Sequence, residues 1–241
     1  MNLRVFPDPA ALSQHTAAHI AQTIRRKPDA LLCLASGDTP TEAYRLLAQM
    51  AQAGELDLSR CHFIGLDEWV GFGPTDEGSC GYYLYRDLFA PARVRPDQIT
   101  YFDAKADDLL AECRRVDRVL ADAGGLDLLL VGIGLNGHIA LNEPGTSFAL
   151  RSHVSELAET TIQVGQKYFS QATPLSRGIT LGLQHLMEAK DVILMASGAK
   201  KAAIIRQALH GPVTEQCPAS LIQTHPNAQV WVDEQAMGDV K

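Results

Sequence analysis

Short apolar runs recur along the chain, separated by stretches long enough to hold a helix. Ala30-Leu-Leu-Cys-Leu-Ala35, Cys61-His-Phe-Ile-Gly-Leu66, Leu126-Asp-Leu-Leu-Leu-Val131, Asp191-Val-Ile-Leu-Met-Ala196 and Ala228-Gln-Val-Trp-Val-Asp233 are near-continuous rather than alternating. Strands buried on both faces of a parallel sheet read this way. Gln98–Phe102 and Arg177–Leu181 are weaker strand signals, and Arg151–Leu157 fits an edge strand. Between these runs lie helix signals. Asp8 can cap a helix with Pro9 in its first turn, and the helix runs to about Arg26 before Pro28-Asp29 closes it. Thr39 and Pro40 open a second, with apolar residues at 43, 46, 47 and 50. Asp107 to Ala123 carries Leu109, Cys113, Val116 and Leu120 on one stripe and stops at Gly124-Gly125. Further helices are expected over Tyr82–Phe89, from Lys201 to about Leu209, and briefly over Cys217–Pro226. Such βα alternation predicts an α/β fold, a three-layer αβα sandwich with a mostly parallel, Rossmann-like sheet. With no internal repeat or linker, one domain is expected over 1–241. The polar stretch at about 158–176, which holds Gly165 and Pro174, reads as a mobile cover or lid.

Composition narrows the class. Hydrophobic residues make up 46% and charged residues 20%, as in an ordinary globule with a sizeable core. The net charge of −7 argues against general nucleic-acid binding. No run is long enough to span a bilayer, and the N-terminus lacks a signal pattern. The cysteines at 33, 61, 80, 113 and 217 are odd in number and form no Cys-x-x-Cys, which points to reduced thiols in a cytoplasmic protein. The eight histidines form no ligand cluster, so no metal is expected.

Candidate chemistry sits where the strands end, which is where ligands of open α/β sheets bind. Leu126–Val131 feeds into Gly132-Ile-Gly-Leu-Asn-Gly-His-Ile-Ala-Leu-Asn-Glu-Pro144, where glycines turn the backbone and Asn136, His138, Asn142 and Glu143 crowd together. A histidine and a carboxylate delivered together form a candidate acid–base pair; a hydrogen-bonded loop histidine beside a solvated glutamate is the bland alternative. Ser36-Gly-Asp-Thr-Pro40 joins a strand to a helix through a glycine turn, so backbone N–H groups and the helix dipole can receive an anion. Ser36, Gly37 and Thr39 suit a phosphate, but Asp38 must then point away. Capped turns of this kind are common in any α/β protein. Asp67-Glu68-Trp69 ends another strand. Adjacent side chains on extended backbone point to opposite sides, so one carboxylate faces the cleft and the other caps or orients. Beside an apolar wall such as Trp69, the cleft-facing carboxylate can act as a base toward a carbon acid; a plain helix cap is the alternative. Lys201, at the start of a helix after Ser197-Gly-Ala-Lys-Lys201, can reach an anion or simply lie exposed.

Together, Ser36–Pro40, Leu66-Asp-Glu-Trp69, Gly132–Pro144 and Ser197–Lys201, in this order, resemble the glucosamine-6-phosphate deaminase/isomerase family. The resemblance runs from about Ala30 to Asp233, and its Gly-His…Asn-Glu-Pro stretch is highly specific. Leu66–Trp69 and Arg177-Gly-Ile-Thr-Leu-Gly-Leu183 lean toward the galactosamine-6-phosphate deaminase/isomerase branch. The cousin 6-phosphogluconolactonases share the Gly-His turn but continue into a Ser-Leu-Phe-Pro-like sequence where this chain has Leu141-Asn-Glu-Pro144. Sugar-phosphate sensors of related fold carry a helix-turn-helix, for which no segment fits.

The resemblance implies the NagB/RpiA-like form of the sandwich and conversion of an amino-sugar 6-phosphate to a ketose 6-phosphate and ammonia, without metal or organic cofactor. It implies His138 as the ring-opening group, Glu143 as its partner, Asn136 as an orienting residue where well-known members carry Asp, and Asp67 as the base between C2 and C1. Ser36, Gly37, Asp38 and Thr39 would form the phosphate turn, closed by Lys201, with Gly137 also near substrate. A lid arginine of the family aligns with Ile162, so Arg177 or Lys167 is expected to replace it. The basic effector-site positions of hexameric members align near His153 and Ser155, so a monomer or small homo-oligomer without allosteric control is expected.

Overall fold

The computed structural model describes residues 1–238, so the last three residues of the expected 1–241 domain lie outside it. The strands are β1 (Asn2–Phe6), β2 (Leu31–Leu34), β3 (His62–Ile64), β4 (Asp67–Trp69), β5 (Ile99–Thr100), β6 (Leu128–Val131), β7 (His153–Glu156), β8 (Arg177–Thr180), β9 (Val192–Ala196) and β10 (Ala228–Asp233). Seven of them form a parallel sheet in the order β1-β10-β9-β6-β2-β3-β5. Along each central strand, side chains alternate between two cores. Leu32, Leu34, Leu128 and Leu130 pack with Leu12, Ile20 and Leu47 of the helices α1 (Pro9–Arg26) and α2 (Asp38–Gln52). Leu31, Cys33, Leu129 and Val131 pack with Val116, Leu120 and Ile205 from α4 (Leu109–Asp122) and α7 (Ala202–His210) on the other face. Two buried faces explain the unbroken apolar runs and make the three layers.

Local signals were read correctly where chemistry is local. Asp8 accepts the Ala11 N–H at 2.8 Å and Pro9 opens α1, which ends at Arg26. The glycines at 124 and 125 take φ of +76° and +86° and end the turn after α4. The edge strand β1 was not expected; only Phe6 of its five residues is buried, so it carries almost no apolar signature.

A second sheet was also unforeseen. Strands β4, β8 and β7 pair antiparallel, with Asp67 opposite Thr180 and Thr180 opposite His153. The run Cys61–Leu66 therefore leaves the large sheet after Ile64, and Asp67 begins a strand of the small one. Trp69, Leu141 and Leu175 form a third apolar cluster there, joined by Ile162 and Phe169. The jog turns Asp67 across the carboxyl edge of the parallel sheet.

Candidate active site at the switch between strands

Strands β2 and β6 are neighbours, yet the chain continues from β2 toward β3 and from β6 toward β9 in opposite directions. Between such strands the following loops diverge and leave a crevice. Here the crevice opens into a cavity of about 1180 Å³, walled by the turns after β2, β6 and β9, by β4 and by the 158–176 segment.

The turn after β2 forms part of the wall. Helix α2 begins at Asp38, earlier than the Thr39-Pro40 start expected, because Gly37 at φ +127° acts as its N-cap. No side chain caps it; instead Thr41 donates its hydroxyl to the Gly37 carbonyl at 2.9 Å. The first-turn amides thus face the cavity with the positive end of the helix dipole behind them. Ser36, Gly37, Asp38 and Thr39 all line the cavity. The exposed Asp38 accepts a hydrogen bond from Lys167 Nζ at 2.6 Å, which neutralises the charge that would oppose an anion. Lys201 ends a short 3-10 turn, Ala199–Lys201, ahead of α7, and its half-buried Nζ donates to the Ile133 carbonyl at 2.5 Å. Burial, and then the nearby Lys167 charge, lower its pKa from the ordinary lysine value.

Asp67 lines the same cavity. Burial pushes its carboxyl up to about 6, against the opposing effects of a hydrogen bond from the Cys80 thiol and the His138 charge. Glu68 turns the other way, as strand alternation predicts. Only 3% exposed, it accepts backbone N–H bonds from Trp69 at 2.9 Å and from Cys80 and Gly81 at 3.0 Å each. It thereby ties β4 to the first turn of α3 (Cys80–Leu84). Burial raises its pKa to about 7; the three backbone donors hold it back, and the Asp67 charge adds to the rise.

His138 faces Asp67's cavity from the turn after β6. Its Nδ1 lies 3.2 Å from Thr161 Oγ1 and 3.5 Å from Glu143 Oε2, so Nε2 is the nitrogen turned away from that pair. Asn136 accepts the His138 backbone N–H at 3.2 Å and donates Nδ2 to Glu143 Oε2 at 2.8 Å, while Ala158 N–H donates to Oε1 at 3.2 Å. Burial opposes ionisation of Glu143, but hydrogen bonds from His138, Thr161 and Asn136, with the His138 charge, take its pKa down to about 2. Asn142 is structural: its buried Nδ2 donates to the Ile139 and Leu181 carbonyls at 2.9 Å each. The His138 ring rests directly on Gly134, where a Cβ would lie 2.3 Å from Cε1. Gly134→Ala should therefore displace the ring without disturbing the core. We expect kcat to fall about 10- to 100-fold with thermal stability near wild type, as steady-state kinetics and a melting curve would show.

The 158–176 segment covers this pair. Its helical structure was not expected: helix α5 (Glu159–Gly165) and a 3-10 turn, Gln166–Tyr168, place Thr161 beside His138, while Tyr83 donates its hydroxyl to the Tyr168 carbonyl at 2.7 Å. Ile162 packs with the third apolar cluster and does not line the cavity. Of its two expected substitutes, Lys167 lines the cavity and Arg177 does not. Arg177 is the exposed first residue of β8, opposite Glu156, and edges a separate hollow with Val70 and Leu109. The strand runs toward the cleft, so its first residue starts farthest from it. Gly137 is likewise buried away from the cleft, beside Cys217 and Ile204; Gly132 and Gly134 are the glycines of this turn that line the wall. Ser155, near the expected effector position, is buried with its hydroxyl on the Glu156 carbonyl, and His153 donates Nδ1–H to the Arg151 carbonyl at 2.9 Å.

Cys80 and Thr161 were missed. Both belong to polar or loop-like sequence and reach Asp67 and His138 only through the tertiary fold. Among the described residues, no three His, Cys, Asp or Glu side chains gather where a metal ion could sit, and no helix is long and apolar enough to cross a membrane.

The parallel sheet thus opens at one switch point onto the start of α2 and onto the paired His138 and Glu143. The model of glucosamine-6-phosphate isomerases/6-phosphogluconolactonase matches residues 7–231, and the chain belongs to that family. It is 42% identical over 228 residues to a glucosamine-6-phosphate deaminase of Bacillus velezensis, spanning 94% of this chain and 95% of the relative. Glucosamine-6-phosphate deaminase 1 of Bacillus subtilis is 38% identical, over 93% of each chain. The solved structure of a monomeric glucosamine-6-phosphate deaminase superposes with a TM-score of 0.95 at 36% identity, over 98% of this chain and 99% of that one. A 6-phosphogluconolactonase from Trypanosoma brucei shares the fold, with a TM-score of 0.76 at 19% identity over 100% of this chain and 98% of that chain.

Proposed function

We propose that the protein is an isomerising deaminase of a 2-amino-2-deoxyhexose 6-phosphate, with glucosamine-6-phosphate preferred. The observation that carries this is a single cavity lined by Asp67, His138, the uncapped start of α2 and Lys201. The names of the relatives support glucosamine over its C4 epimer, although both epimers present the same reacting carbons.

The steps follow from the groups. The phosphate sits on the amides of Gly37 to Thr39, with Ser36 and Lys201 as further donors, and its binding energy holds the sugar in register. His138, through Nε2, moves a proton at the ring oxygen and opens the ring; Glu143 holds the opposite nitrogen, supports the imidazolium and is itself oriented by Asn136. The open-chain aldehyde acidifies the C2 proton. Asp67 takes that proton, the C2–H electrons form the C1–C2 double bond, and the carbonyl π electrons move to O1, which takes a proton from water to complete the enolamine. The same carboxyl returns the proton at C1, which leaves an imine at C2. Water adds to the imine carbon and ammonia departs, giving the 2-ketose 6-phosphate. No step requires a metal. A lactonase needs no such relay at C2, and Glu143 behind His138 favours the deaminase.

The direct test measures ammonia from glucosamine-6-phosphate and galactosamine-6-phosphate, with 6-phosphogluconolactone as control. Ammonia is expected from the first, with a higher kcat/KM than from the second. Lactone hydrolysis without ammonia, or binding without turnover, would overturn the reading.

A further inference from the structure

The acid–base pair touches a third side chain that the steps above leave unused. His138 Nδ1 lies 3.2 Å from Thr161 Oγ1 and 3.5 Å from Glu143 Oε2, so the threonine is the nearer partner. Thr161 belongs to the first turn of α5 and is buried, which shields the contact from water. Glu143 fixes the direction of the bond. Burial opposes its ionisation, but its hydrogen bonds and the His138 charge keep it a carboxylate. A carboxylate on that side of the ring repels a lone pair and attracts an N–H. The neutral imidazole therefore carries its proton on Nδ1, Thr161 Oγ1 accepts it, and Nε2 keeps its lone pair.

The position of Thr161 is set from both ends of α5. The helix has no side-chain cap of its own. Glu143 Oε1 accepts the N–H of its cap residue, Ala158, at 3.2 Å, and Thr160 Oγ1 accepts from Asn136 Nδ2 at 3.4 Å. The start of α5 is thus stitched to the same turn that carries His138. At the other end Gly165 packs so tightly that an added Cβ would lie 3.0 Å from Leu175 and 3.4 Å from Trp69.

We propose that Thr161 is a positioning residue for His138: its hydroxyl oxygen accepts the Nδ1–H and holds the imidazole in the tautomer whose Nε2 is free to move the proton at the sugar ring oxygen. This rests on the reading of His138 as the ring-opening group. Glu143 and Thr161 then divide the work on one nitrogen. Glu143 supplies the charge that supports the imidazolium, and Thr161 supplies the directional bond that fixes the plane of the ring. Because Thr161 sits on the covering helix, His138 is correctly set only while α5 is seated on the turn after β6.

Steady-state ammonia release by the full chain is the test. Thr161→Val keeps the shape of the side chain and removes the oxygen. Its kcat should fall about tenfold while KM for glucosamine-6-phosphate stays within about twofold of wild type, since the phosphate turn is untouched. Thr161→Ser, which keeps the hydroxyl, should return kcat to within about threefold of wild type. Added to His138→Gln, Thr161→Val should cost nothing more, because both act at one imidazole. Unchanged kcat in Thr161→Val, no rescue by serine, or an additive loss in the double variant overturns the proposal. A further measurement needs no Thr161 variant. The nitrogen-15 NMR spectrum of the His138 ring in the unliganded enzyme at pH 8.5 should show the neutral tautomer protonated on Nδ1; a proton on Nε2 overturns the proposal. Failure of the underlying reading looks different, because His138→Gln would then release ammonia at the wild-type rate.

Discussion

Asp67→Asn should abolish catalysis while making the protein more stable at neutral pH. Asparagine cannot take the C2 proton, and loss of a positioned base costs about 10²- to 10⁴-fold in kcat. The stability gain comes from the same carboxyl. Burial raises it from 3.8 to about 6, so the folded state holds a proton that the unfolded state releases. The stabilisation that goes with this is present below pH 3.8 and is lost as the pH rises through 6. Above that, wild type keeps a partly desolvated charge that Asn lacks. A shift of this size is worth on the order of 2 kcal/mol after allowance for the carboxylate's partial contact with solvent. Denaturant titrations should show the variant ahead at pH 7.5 and level with wild type at pH 3.5. The wild-type kcat/KM should decline as the pH falls through about 6, where Asp67 takes up its proton. Equal stability at pH 7.5, together with full activity, would contradict this account.

His138→Gln should cost about 10²- to 10³-fold in kcat, with KM little changed, because it removes proton transfer at the ring oxygen but leaves the phosphate turn intact. Glu143→Gln should cost less, about tenfold, since Glu143 acts through the imidazole at 3.5 Å. The double variant should be no worse than His138→Gln alone, because both changes break one unit. Glu143→Gln carries a stability signature too. Its carboxyl is held at about 2, below the ordinary 4.5, so its stabilisation is present above pH 4.5 and fades as the pH falls toward 2. The difference in stability between wild type and Glu143→Gln should therefore shrink across that window. Additive losses in the kinetic cycle would show that the two residues act separately.

Much of this was legible along the chain, for physical reasons that differ from place to place. The central strands declare themselves because both of their faces are buried, so Leu31–Leu34 and Leu128–Val131 cannot afford a polar residue. Asp8-Pro9 announces α1 because capping depends on residues within one turn. The Asp67, His138 and Ser36–Thr39 placements follow from strand ends at a parallel sheet's carboxyl edge. What stayed hidden depends on partners far away in the chain. The small antiparallel sheet needs β4, β7 and β8 to meet; β7 and β8 lie in runs read as strands, but nothing local says that they pair with each other and with Asp67–Trp69. Arg177 looked available because its charge was visible and its direction was not. Helix α5 is short and polar, held by packing of Gly165 on Trp69 and Leu175 rather than by propensity. Cys80 reaches the cavity wall because Glu68 pins α3 beside β4.

The central claim is that Asp67 and His138 act on one bound sugar, with Asp67 carrying the proton from C2 to C1. Glucosamine-6-phosphate deuterated at C2 tests it most directly, with the ketose product examined by NMR. Wild type should deliver part of the deuterium to C1 of the ketose phosphate, the rest exchanging with water, and Asp67→Asn should yield neither labelled ketose nor ammonia. Deuterium transfer at an undiminished rate in Asp67→Asn would contradict the account.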